Sequence, residues 1–119
     1  MNVFQDALRR IAERVEGTRA VSLVGVDGIP IDTYGPGESA SIESVAAEMG
    51  SFVKSSQPSE SGGVGSVQQL CLVTEGGKAI LSRVTEEYYL LLLLSREGNF
   101  GRGRFELRKA ALALEKELL

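Results

Sequence analysis

Apolar residues recur at two periods along this chain, and the points where the period changes divide it into eight elements. Phe4, Leu8, Ile11 and Val15 stand at three- and four-residue steps with charged residues between them. That is the spacing of one helical face, so residues 3–16 are predicted to be a helix that stops at Gly17. Ala20 to Val26 reads as a strand, Asp27-Gly28 as a two-residue hairpin turn, and Ile29 to Tyr34 as the returning strand. Pro30 has no N–H to give to a ladder, which puts that second strand at a sheet edge. Gly35-Pro36-Gly37 then breaks the chain.

A second helix is predicted over residues 38–55, with Ile42, Val45, Ala46, Met49, Phe52 and Val53 as its apolar face. Gly50 inside it costs ~1 kcal/mol relative to alanine, which signals a close approach at that point. On the opposite side Ala40, Ser44, Ala47 and Ser51 recur at four-, three- and four-residue steps, flanked by Glu43, Glu48 and Lys54. A row of small side chains admits another backbone, so this face is expected to be an interface; the alternative is a solvated helix that tolerates serine and alanine. Residues 56–65 are rich in Ser and Gly and read as a flexible surface loop.

Three strands follow, at 66–74, 78–85 and 87–94, joined by short turns into an antiparallel meander. The last helix spans 100–118 with Leu107, Ala111, Leu114 and Leu118 as its core stripe. Phe105, Leu112 and Leu119 lie seven residues apart and off that stripe. They are expected to pack sideways on the first helix, or else to remain available to a partner.

Leu90 to Leu94 is apolar at every position, and Ala20 to Val26 nearly so. Strands without alternation are buried on both faces, so these two are predicted to be neighbours at the sheet centre with helices on each side. The fold class that results is α/β (α+β), in the order α-β-β-α-β-β-β-α, with a five-stranded antiparallel sheet carrying one helix on one face and two on the other. In that arrangement the strand containing Val67, Gln69, Cys71 and Val73 is the outer edge opposite Pro30, and it holds neither proline nor lysine to discourage pairing. Either it pairs with its own copy about a two-fold axis or the 56–65 loop covers it.

Composition narrows the function. The 119 residues are read as one domain, 1–119, with 43% apolar and 24% charged residues, ordinary for a soluble globular chain. A net charge of −3 and pI near 5.0 argue against a nucleic-acid partner, which calls for a basic surface. The longest apolar run, Tyr88 to Leu94, is far short of the ~20 residues that span a bilayer, so no membrane insertion is expected and the location is read as cytoplasmic. With no histidine in the chain, the commonest general base and the commonest zinc ligand are both missing. The lone Cys71 is read as a small core hydrophobe in a reducing compartment.

Gly98-Asn-Phe-Gly101-Arg-Gly103 is the best phosphate-cradle candidate, yet its spacing is not the dinucleotide fingerprint and it reads as a turn plus a helix start. Gly76-Gly77-Lys78-Ala79 lacks both the first glycine and the hydroxyl residue of a phosphate-binding loop. Glu86-Glu87 and the Asp27/Asp32 pair fall at turns and an edge, where solvated carboxylates belong. No catalytic residue, metal site or cofactor is predicted.

The segments Val15-Glu-Gly-Thr-Arg-Ala-Val-Ser-Leu-Val-Gly-Val-Asp-Gly-Ile-Pro-Ile, Glu43-Ser-Val-Ala-Ala-Glu-Met-Gly and Gly98-Asn-Phe-Gly101-Arg-Gly-Arg-Phe-Glu-Leu-Arg, in this order, resemble the roadblock/dynein light-chain family. The resemblance covers nearly the whole chain, and bacterial MglB-type members are the most similar in length and style. It implies a homodimer with one sheet continuing through both copies, the second helices side by side, and a Ras-like small GTPase as partner. Carried onto this chain, the GTPase contact is the second helix around Ser44, Ala47, Glu48 and Ser51, and no arginine finger is assigned to Arg83, Arg102 or Arg104. The implied function is a non-catalytic regulator or scaffold that modulates GTP hydrolysis; the alternative is a light-chain-like adaptor without effect on GTP turnover.

Overall fold

A computed structural model describes residues 2–35, 39–55 and 65–118, with residues 39–41 described through their backbone alone. The elements are α1 (Val3–Arg14), β1 (Thr18–Gly25), β2 (Pro30–Tyr34), α2 (Ser39–Ser55), β3 (Gln69–Thr74), β4 (Gly77–Arg83), β5 (Tyr88–Leu94) and α3 (Phe100–Leu118). Their order is the predicted one. α1 starts where the Asn2 side chain accepts from the Phe4 N–H at 2.8 Å. It ends short of Gly17 because Val15 is already extended, its N–H closing the last turn on the Ile11 carbonyl.

The sheet runs β2-β1-β5-β4-β3, with every neighbouring pair antiparallel. β1 and β5 are adjacent, as their unbroken apolar runs predict. Leu90, Leu92 and Leu94 enter a core shared with α1 and α3; Tyr89, Leu91 and Leu93 enter a second core under α2. One strand thus feeds both cores, and the layers are two helices, sheet and one helix. β2 and β3 are the edges. The predicted 56–65 loop and the Pro36-Gly37 break lie outside the described residues, save for Gly65.

The hairpin between β1 and β2 is one residue longer than predicted. The Gly25 N–H bonds to the Ile29 carbonyl and the Gly28 N–H to the Gly25 carbonyl, leaving a three-residue loop with Gly28 at φ +86. Asp27 Oδ1 accepts from the Ile29 N–H, so this carboxylate serves the turn. Register then jumps: Leu23 faces Asp32 and Val24 faces Pro30, which leaves Ile31 as a bulge. Proline and bulge together spoil the β2 edge for further pairing.

The close approach signalled by Gly50 is a contact with this turn. A Cβ on Gly50 would stand 3.2 Å from the Gly28 Cα, and one on Gly28 would stand 3.0 Å from the Ala47 Cα. Two glycines therefore let the β1–β2 turn lie directly on the backbone of α2. On the other face, α1 and α3 meet around Glu106, which is buried between Arg102 at 2.9 Å and Arg14 at 3.6 Å.

Candidate functional site

β3 is an open border. Its neighbour β4 is held on one side, where the Gln68 carbonyl accepts from the Arg83 N–H at 2.9 Å. Bonding direction alternates along an antiparallel strand, and Gln69, Cys71 and Val73 alternate with Gln68, Leu70 and Leu72. Their N–H and C=O groups therefore point away from β4, and no described strand lies beyond them. Their side chains turn to the α3 side of the sheet. The Gln69 amide donates to Ser82 Oγ at 2.8 Å and its carbonyl accepts from Arg104 Nε at 2.9 Å, tying the border to α3. Cys71 is half-buried against the α1–α3 core, and that burial pushes its thiol above the usual range, with Arg104 pulling weakly the other way. It is a border residue as well as a core one. Val67 precedes the strand and packs toward α2. Leu72, absent from the sequence candidates, is 45% exposed and Val73 is 64% exposed.

α2 has three distinct sides. Ile42, Ala46, Met49 and Val53 are buried on the sheet. Ser44, Ala47, Glu48 and Ser51 are all exposed and form the outward ridge; the Ala40 side chain lies outside the described residues. The third side corrects the sequence reading. Phe52, assigned to the core, is 52% exposed. It stands seven residues from Val45 and so on the same flank. Val45 is half-buried and lines a groove of about 260 Å³ with Leu72, Ala79 and Leu93, above the β3–β4 end of the sheet. α2 covers the β1 side of this face, because Gly28 and Gly50 draw it there. Among the described residues no element covers the β3 side, where Leu72 shares the groove with Val45.

A family model for the Roadblock/LC7 domain matches residues 4–94. The chain belongs to the Roadblock/LC7 family. Among solved structures, this roadblock chain is similar to MglC from Myxococcus xanthus at 29% identity, covering 96% of this chain and 98% of that one with a TM-score of 0.72. A Roadblock/LC7 domain from Streptomyces avermitilis is 18% identical over 94% of each chain, TM-score 0.80. An MglB with a tetrameric arrangement is 16% identical over 94% of this chain and 85% of that one, TM-score 0.83. No curated protein matches the sequence at a significant level.

Elsewhere in this roadblock domain the glycine-rich segments are explained by packing. Asn99 caps α3 by accepting from the Arg102 N–H at 3.0 Å, and a Cβ on Gly103 would press on Leu92 and Ile80 at 3.0 and 3.1 Å. Lys78 donates to the Arg96 carbonyl at 2.8 Å, so it pins the β5–α3 loop. Asp32 is bonded by Gln5 and Asn2 of the first helix and its cap. A groove of about 610 Å³ borders Gln68, Arg83, Glu86, Glu87 and Glu115, with Arg83 3.8 Å from Glu86. Phe105 and Leu112, expected against α1, stand exposed instead; Leu119 lies outside the described residues. α1 meets α3 along the Glu106, Ala110 and Leu114 side, which leaves the Phe105 line outward. The Val45–Phe52 flank escaped the sequence reading because both residues continue the helix's apolar periodicity.

Proposed function

We propose that this chain is a dimeric, non-catalytic regulator or scaffold that docks a Ras-like small GTPase. The observation that carries the reading is a coincidence of two features on one side that no described residue satisfies. The outward backbone groups of Gln69, Cys71 and Val73 offer a template for a two-fold strand pair. Beside them, the apolar flank of α2 (Val45, Phe52) and Leu72 overlook sheet that no described element covers. A second copy added at β3 brings its own α2 into that gap, burying both flanks at once. The two outward ridges of Ser44, Ala47, Glu48 and Ser51 then lie abreast as a deck of small residues, and a GTPase switch region seated there has its conformation biased without any inserted arginine.

Family membership supports a regulatory or adaptor role; the GTPase as the partner is the finer step. Ala47→Arg puts a charged side chain in the middle of the ridge, where an unpaired desolvated charge costs about 3 kcal/mol or more, roughly a hundredfold in affinity. The variant is expected to keep the mass of the dimer in light scattering and to lose both binding to a Ras-like GTPase from the same cell and any effect on its GTP turnover. Undiminished binding removes the deck from the reading. Binding with no change in turnover favours the adaptor alternative, and a one-chain mass at micromolar concentration removes the dimer.

A further inference from the structure

The outer side of α3 carries a face that the reading above leaves unused. Phe105 and Leu112 lie on one line along the helix and are 58% and 64% exposed. Arg108, Lys109 and Lys116 are exposed beside that line. Lys109 stands over the Phe105 ring, 5.9 Å from its centre. Among the described residues Arg108 and Lys116 are in no ion pair. Of the acids of the helix, Glu106 is buried with Arg14 and Arg102, Glu117 lines the α1–α3 groove that Lys109 also borders, and Glu115 shares a groove with Arg108 and Leu112, so the face keeps three cations against one neighbouring carboxylate. The asymmetry extends to the layer. α1 and α3 hold eight of the chain's 13 Lys and Arg but five of its 16 Asp and Glu. A layer with three surplus positive charges thus lies within a chain of net charge −3.

We infer that this face of α3 rests on an anionic lipid surface. Phe105 and Leu112 enter the headgroup layer, and Arg108, Lys109 and Lys116 pair with lipid phosphates on either side of them. A helix with a short apolar line bordered by cations suits a plane of negative charge better than a protein cleft. No described helix is long and apolar enough to cross a membrane, so the contact is superficial. α2 lies on the other face of the sheet, so a molecule seated this way keeps its ridge accessible, and the inference stands whether or not a GTPase is the partner.

The full chain should co-sediment with vesicles of about one-third phosphatidylglycerol in phosphatidylcholine, stay in solution with pure phosphatidylcholine, and be released as salt rises from about 0.1 M to about 1 M. R108E/K116E should lower the partition coefficient at least ~20-fold, since each surface cation contributes roughly fivefold. F105S/L112S should lower it as well, and Ala47→Arg should leave it unchanged. Circular dichroism on each variant confirms that the fold is kept. Equal binding to both vesicle types, or full binding by R108E/K116E, overturns the inference. So does full binding by F105S/L112S, which would make the face a general polyanion patch or a protein site.

Discussion

Gly28 and Gly50 show how much a single missing Cβ decides here. With φ at +86 and backbone atoms of Ala47 and Ala46 at 3.0 and 3.2 Å, Gly28→Ala has no flexible neighbour to push aside. We expect it to cost about 2–3 kcal/mol in denaturant unfolding, from strain and overpacking together. Glu106 poses the opposite question, since its carboxylate is 4% exposed while Arg14 and Arg102 are 42% and 48% exposed. Glu106→Gln releases two arginines that water can reach, so a loss of about 1–2 kcal/mol is expected. R14A/R102A strands the buried carboxylate and should cost more, about 3 kcal/mol. The two unfolding curves check the ranking; a costlier Glu106→Gln would mean the arginines are less solvated than their exposure implies. Gly50 was legible from sequence as a close approach, because glycine inside a helix needs a reason. Its partner was not, since nothing local says which turn arrives there.

Elements were legible wherever burial has a period. β5 and β1 identified themselves as central by lacking alternation, and Pro30 identified its edge. α2 was harder: Phe52 continues the apolar spacing of the core stripe, yet it sits one flank over, where the neighbouring layer ends. The hairpin was lengthened by one residue because Gly28 takes the left-handed position, with Asp27 in the turn before it. At β3 the alternation of bonding permits a selective test. Cys71→Pro removes an outward N–H and leaves the bonds to β4 in place, whereas Leu72→Pro removes a ladder donor. The first is expected to halve the mass in light scattering while circular dichroism stays native. The second should also lose about 3 kcal/mol or more of stability. A Cys71→Pro protein of unchanged mass would mean that the border is not where copies meet.

For the whole molecule the recurring theme is uneven coverage. Among the described residues one helix lies over the β1 side of a sheet that the other face covers with two, and none of them covers the apolar β3 side. If a second copy fills that gap, folding and association are linked, and apparent stability follows protein concentration. The thermal midpoint should rise by a few degrees over a hundredfold increase in concentration, and Cys71→Pro should abolish the dependence. A midpoint independent of concentration in the unaltered chain would favour a covering segment of its own. The charge distribution divides along the same layers, with the cationic surplus on the α1–α3 side.

By itself the sequence determined the order of the elements, the central pair of strands, both edges and the family, because each is written in local periodicity, turn chemistry or a contiguous run of residues. Only the tertiary structure decided which apolar residues stay uncovered. Phe52, Leu72, Phe105 and Leu112 satisfy the same periodic rules as their buried neighbours, and their exposure depends on where the adjoining layer stops. That boundary is set by contacts between elements far apart in the chain, above all Gly28 on Gly50, and no window of sequence contains both the residue and the edge of what covers it.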